Sequence, residues 1–319
     1  MTDRPLAFVL RALGLGDLLA GIPALRAVRR ALPEHQLVLG TPAAFAPLVA
    51  LADAADRVLP VTGLEDIEWT GPAPDVAVNL HGKGPQSTEL LLRLGPRRLV
   101  AFAHPGLGVV GPAWRADEHE VARWCRLVAE SLAVPAEPGE LDLRLPAIDP
   151  PMRRAVVIHA GAAYPSRRWP PERFAAVARW AADQALPLAV TGSGAERGLA
   201  SEVAAAAGLP AGAVLAGRTS LLELAALVGH ARLVVSGDTG VAHLATAFST
   251  PSVVLFGPIP PTLWGPPKRR QHVAIWHGTG AGDPWGRTID PALLRISVDE
   301  VLSSAEALLA ATQTTRSCS

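Results

Sequence analysis

The run Ser236-Gly237-Asp238-Thr239-Gly240-Val241-Ala242-His243 passes from an apolar stretch straight into residues with helical spacing. A strand-to-helix turn of this kind leaves the amides of Thr239, Gly240 and Val241 without intrahelical acceptors. With about half a positive charge of helix dipole behind them, these amides make a seat for phosphate. An aspartic-protease reading needs two such aspartates sharing a proton, and the chain has one Asp-Thr-Gly. His243, one turn further on, either touches the same ligand or is structural.

Four other glycine-bearing turns carry polar groups. Arg167 and Arg168, in the loop "HAGAAYPSRRWPPERF" (159–174), have no obvious acidic neighbour in sequence. Bidentate contact with phosphate oxygens suits them, the alternative being a solvated pair over Trp169. In "TGSGAER" (191–197) the glycines allow a ring or ribose close to the backbone, and Glu196 either holds ribose hydroxyls or is an ordinary first-turn glutamate. "ALGLGDLLAG" (12–21) starts like a dinucleotide fingerprint, but Leu19 stands where its third glycine belongs, so a nicotinamide or flavin site is disfavoured. Asp17 there is either a helix cap or a carboxylate able to take a proton from a hydroxyl. "NLHGKGPQS" (79–87) offers His81, Lys83, Gln86 and Ser87 to a polar ligand.

Such groups need elements to hold them at strand ends, and the chain alternates accordingly. Apolar runs at 6–13, 35–40, 56–61, 75–80 and 97–102 predict strands, with helices over 18–32, 85–94 and 117–132. The segment 134–154 holds five prolines in twenty-one residues and reads as a linker. Alternation then resumes, with strands at 155–160, 186–192, 231–237 and 252–257 and helices at 171–184, 195–207, 219–229 and 239–248. The segments 257–270 and 277–290 read as loops. This pattern predicts an α/β protein of two doubly wound parallel-sheet domains, 1–150 and 151–319, facing each other across a cleft, with ligand groups on the loops that follow strands.

Composition narrows the function. Lys plus Arg and Asp plus Glu balance at 29 each, which gives no electrostatic reason to expect nucleic acid or an anionic membrane. Arg11 and Asp17 interrupt the N-terminal apolar run, so no secretory signal is expected, and no window reaches the roughly eighteen uncharged apolar residues of a membrane span. Cys125 and Cys318 form no ligand spacing, and a reducing cytoplasm is the simpler reading. Motifs for a diphosphate-bound metal, a zinc protease, a P-loop and a nucleophile elbow are missing. A metal-free, cofactor-free site must neutralise phosphate with arginines and helix ends.

Three stretches, "LGLGDLLAGIPALRAVR", "GAAYPSRRWPPERFAAVA" and "LVVSGDTGVAHLATAFSTPSVVLFGP", together resemble glycosyltransferase family 9, the ADP-heptose-dependent heptosyltransferases of GT-B fold. The resemblance covers nearly the whole chain. It implies an inverting transfer in which Asp17, after Gly16, is the general base for the acceptor hydroxyl; the polar, anion-compatible loop of His81, Lys83 and Gln86, with Gly16, is then the expected acceptor site. The family's phosphate-binding lysine falls on Arg167, and its Asp-Thr-Gly-x-x-His falls on Asp238, Thr239, Gly240 and His243. Arg168 and Glu196 complete the donor contacts. Ala163 stands where the family often has a hydroxyl. The implied protein is a cytoplasmic monomer with at most peripheral membrane contact. It takes a nucleotide sugar, ADP-heptose favoured, and an acceptor such as lipopolysaccharide core, a surface glycan or a secondary metabolite. Two other readings fit the sequence: a nucleotide-sugar epimerase on the same plan, and a non-catalytic nucleotide-sugar-binding protein.

Overall fold

In the computed structural model, residues 4–64 and 67–317 are described. Cys318 lies outside them. The chain forms two compact units, Met1–Leu143 and Arg144–Ser319.

In the first unit, β1 (Leu6–Leu10), β2 (Gln36–Thr41), β3 (Arg57–Pro60), β4 (Val76–Asn79) and β5 (Arg98–Val100) alternate with α1 (Leu15–Ala31), α2 (Ala46–Ala52), α3 (Gln86–Leu92) and α4 (Glu120–Leu132). The sheet runs β3-β2-β1-β4-β5, all parallel. Strand β4 returns to the far side of β1 after β3, so the order reverses between β1 and β4. In open parallel sheets the loops beyond the strand C-termini at such a reversal are where ligands bind.

The second unit repeats the plan. Its strands are β6 (Val156–His159), β7 (Leu188–Thr191), β8 (Leu233–Gly237), β9 (Ser252–Phe256) and β10 (His272–Trp276), in the parallel order β10-β9-β8-β6-β7. Helices α5 (Pro171–Asp183), α6 (Arg197–Ala206), α7 (Leu221–Gly229) and α8 (Gly240–Ala247) connect them, followed by α9 (Pro261–Trp264), α10 (Pro291–Arg295) and α11 (Val298–Ser317). Here the order reverses between β6 and β8.

Strands β1, β4, β6, β8 and β9 are apolar nearly throughout because helices cover both sheet faces. Val156, Ile158, Phe174, Val235, Val253 and Leu255 belong to one buried cluster, which Val301, Ala305 and Leu308 of α11 also enter. Several elements were not read from the sequence: α2, β10, α10, α11 and the single turn α9 inside the segment expected to be loop. Among the described residues no helix is long and apolar enough to cross a membrane.

Candidate functional site

At the reversal in the first unit, the loops after β1 and β4 lie side by side because their strands pair, Leu10 opposite Asn79. Helix α1 begins earlier than the sequence suggested, at Leu15 with Gly14 as N-cap. Asp17 is therefore not the cap residue. It lies in the first turn, and its carboxylate reaches back to accept the Gly14 amide at 3.1 Å. His81, from the loop after β4, accepts the Ala12 amide on Nδ1 at 3.2 Å. Asp17 and His81 thus hold amides two residues apart on one turn.

Asn79 shapes the His81 loop. Its carbonyl oxygen accepts the amides of His81 and Gly82 at 3.0 and 3.4 Å, while its amide donates to Ser87 and Thr88, each at 3.0 Å. Lys83 and Gln86 are exposed on the same segment, and Gly16 is half-buried in the first turn of α1. Burial, and secondarily the charge of Arg11, hold the His81 imidazole down to about 4, so the ring is neutral at pH 7.

In the sequence Arg11 is only a charge interrupting an apolar run. It is fully buried. Its guanidinium donates to the carbonyls of Asp17 and Leu80, pairs with Glu120 at 3.3 Å and lies 5.0 Å from the centroid of the Trp124 ring. Glu120 in turn accepts from Trp124 Nε1 at 2.6 Å and pairs with Arg123. A Cβ on Gly21 would lie 2.5 Å from Arg11 Nε, which is why a glycine serves in the second turn of α1. One buried cation therefore ties the Asp17 turn and the His81 loop to the start of α4. The signal available in sequence was a lone Arg closing an apolar strand with no adjacent polar run.

In the second unit, β6 and β8 pair with His159 opposite Ser236, which brings the loops carrying Arg167 and Asp238 together. The expectation that Arg167 lacks an acidic neighbour is corrected: its guanidinium donates to the Asp238 carboxylate at 2.8 Å and to the Asp238 carbonyl at 2.5 Å. The pairing spans 71 residues, so nothing local in the sequence signals it. Arg168 turns the other way and donates to the Ala162 carbonyl at 2.9 and 2.7 Å, bracing its own loop. Trp169 is buried in the core, not packed beneath a solvated pair.

Thr239 is the N-cap of α8, with Gly240 the first helical residue. His243 Nε2 lies 4.0 Å from the other Asp238 oxygen, and its ring meets Trp264 edge-on at 5.9 Å. Ser166 Oγ, Arg167 Nε, Ser236 Oγ and Thr239 Oγ1 are buried polar atoms without a partner among the described residues. Buried polar atoms are nearly always satisfied, and these four lie on or beside the two loops that the β6–β8 pairing brings together.

Glu196 lies on the loop after β7. Its carboxylate accepts the Ser193 amide at 2.8 Å, as a first-turn glutamate does. Burial works against its ionised form, but the Ser193 hydrogen bonds outweigh it, helped by the Arg168 charge, and its pKa falls below the ordinary value. A Cβ on Gly161 would strike this carboxylate, so the absence of a side chain there gives Glu196 its room. Beside it, burial keeps His159 neutral against the pull of Glu196. The Thr191 hydroxyl donates to the Ile158 carbonyl, which leaves His159 Nδ1 to donate to Thr191 at 3.0 Å.

The structure thus gathers Arg167, Asp238, Thr239, Gly240 and His243 at one reversal, with Arg168 and Glu196 on flanking loops. In the other unit it gathers Gly16, Asp17 and His81, with Lys83 and Gln86 beyond. Among the described residues no group of three His, Cys, Asp or Glu could hold a metal ion.

Residues 111–282 match the family model described as glycosyltransferase family 9 (heptosyltransferase), more than half the chain. The chain is 29% identical to lipopolysaccharide heptosyltransferase 1 of Pseudomonas aeruginosa over 289 residues, covering 81% of this chain and 80% of that protein. Among solved structures, Escherichia coli ADP-heptose lipopolysaccharide heptosyltransferase II superposes with a TM-score of 0.76 at 19% identity, covering 97% of this chain and 99% of that one. An E. coli heptosyltransferase solved with ADP gives 0.69 at 20% identity, over 95% and 99%.

Proposed function

Because the chain belongs to glycosyltransferase family 9, the heptosyltransferases, we propose that it moves heptose from ADP-heptose onto a hydroxyl of a lipopolysaccharide core, with inversion and without a metal ion. Its two parallel sheets have the GT-B fold of those enzymes. The observation that carries the reading is the second unit's reversal, where Arg167, the N-terminus of α8 and a group of orphaned polar atoms surround one turn. A diphosphate is the ligand that such a turn satisfies, through amides, a helix dipole and a guanidinium together.

In this reading the acceptor oxygen forms a bond to the anomeric carbon as the bond from that carbon to the diphosphate breaks. The hydroxyl proton passes to the Asp17 carboxylate, and ADP departs with the electron pair. Negative charge grows on the leaving oxygen. Arg167 and the amides of Thr239, Gly240 and Val241 stabilise it, a kind of contribution worth about 3 kcal/mol for a single well-placed donor. Asp238 holds Arg167 in position, and Arg168 and Glu196 border the nucleoside. Gly16, His81, Lys83 and Gln86 receive the acceptor. The enzyme works in the cytoplasm as a monomer.

Family membership does not favour the epimerase and the non-catalytic binder. The deciding experiment is a thermal-shift panel of ADP-, UDP-, GDP- and dTDP-sugars, followed by mass spectrometry of heptose-deficient lipopolysaccharide incubated with ADP-heptose. Stabilisation by ADP-heptose and an acceptor heavier by one heptose, both retained in EDTA, are expected. A response confined to UDP-sugars overturns the donor assignment.

A further inference from the structure

We propose that His81 is a specificity-determining residue: its neutral ring presents Nε2–H to a lone-pair oxygen of the acceptor sugar, flanking the hydroxyl that reacts. The proposal rests on the transferase reading given above and adds a tautomer, a polarity and a ligand group to it.

The tautomer follows from one contact. A backbone amide can only donate, and the Ala12 amide points at His81 Nδ1 at 3.2 Å. Nδ1 must therefore offer its lone pair, and in a neutral imidazole the single proton then resides on Nε2. Protonation would put a second hydrogen on Nδ1 and break the contact. Burial and the neighbouring Arg11 charge act in the same direction, since together they hold the ring's pKa down to about 4.

Position does the rest. The loop that carries His81 is fixed from behind at three points: Arg11 holds the Leu80 carbonyl, and Asn79 holds the amides of His81 and Gly82. The ring is half-buried, with its Nδ1 edge committed to the turn. That turn is the one whose Gly14 amide binds Asp17. A donor anchored on the same turn as the proposed base meets the part of the acceptor next to the nucleophile. It offers no positive charge, so it selects an oxygen with a free lone pair by geometry, where a lysine would attract any anion.

The test uses the full chain with ADP-heptose as donor and heptose-deficient lipopolysaccharide as acceptor. His81→Phe keeps a ring but loses both the donor and the acceptor of the Ala12 amide, and should raise the acceptor KM roughly tenfold, as expected for one neutral hydrogen bond to the ligand, with ADP affinity changed less than about twofold. His81→Gln supplies an amide N–H at similar reach and should recover most of the loss. Nitrogen-15 correlation spectra of the wild-type imidazoles, with His81 assigned through His81→Gln, should show the Nε2–H tautomer at neutral pH. An unchanged acceptor KM in a folded His81→Phe protein overturns the proposal. So does a spectrum showing Nδ1–H or imidazolium, which decides the matter even if the phenylalanine variant does not fold. An active wild type with insensitive His81 variants removes this proposal alone. A wild type that transfers no heptose removes the transferase reading and the proposal together.

Discussion

Arg167 holds Asp238 with one terminal nitrogen while its Nε is buried and unpartnered among the described residues. A charge arranged this way is oriented before any ligand arrives, and part of its donor fork is still available. Replacing it with methionine removes charge-assisted hydrogen bonds worth about 1.5–3 kcal/mol, so Arg167→Met should weaken ADP binding about ten- to a hundredfold by calorimetry. Asp17 has a different signature. Asp17→Asn keeps the size of the side chain but cannot take a proton, and turnover should fall at least about a hundredfold while ADP affinity stays constant. Unchanged turnover would strip Asp17 of its role. The polar residues on these turns were legible because glycines and a helix start frame them. Their pairings were not: Arg167 and Asp238 meet only through strand order, and Asp17 binds the Gly14 amide only because the helix begins at Leu15.

At the level of elements, the start of α1 is held by a buried ion pair. Removing one partner of such a pair costs about 3–5 kcal/mol, because the other is left charged in an apolar setting. Glu120 retains Arg123, so Arg11→Met should lie near the lower end, about 3 kcal/mol by urea unfolding. Gly21→Ala should cost about 1–3 kcal/mol through crowding of the same guanidinium. A loss in neither variant would mean that the turn is held by other contacts. Strands β1, β4, β6 and β8 were readable as apolar runs, since parallel strands covered on both faces must be apolar. Strand β10 was not, as only Ile275 in it is buried and basic residues precede it. The spacing of Val301, Ala305 and Leu308 did carry a helical signal, and all three are buried.

For the whole molecule, acid sensitivity follows from groups in both units. His81 and His272 are each held to about 4, by burial first and by Arg11 and Arg269 second. Unfolded, they titrate near 6.5, so the unfolded chain takes up protons first as pH falls. Their stabilisation is complete above about pH 6.5 and is lost on the way down to about 4. Glu118, lowered chiefly by its hydrogen bonds from Arg126, adds a second loss below about pH 4.5. Urea midpoints at about pH 7, 5 and 4 should therefore fall in that order. A maximum at pH 5 would contradict the histidine assignment.

Full enclosure of Arg11 contrasts with Arg167, whose side chain is 26% exposed. Counter-ions gather around a charge they can approach and do not reach one sealed beneath a helix. Potassium chloride should then weaken ADP binding while leaving the scaffold under Asp17 intact, so raising ionic strength should lower ADP affinity by calorimetry without lowering the urea midpoint.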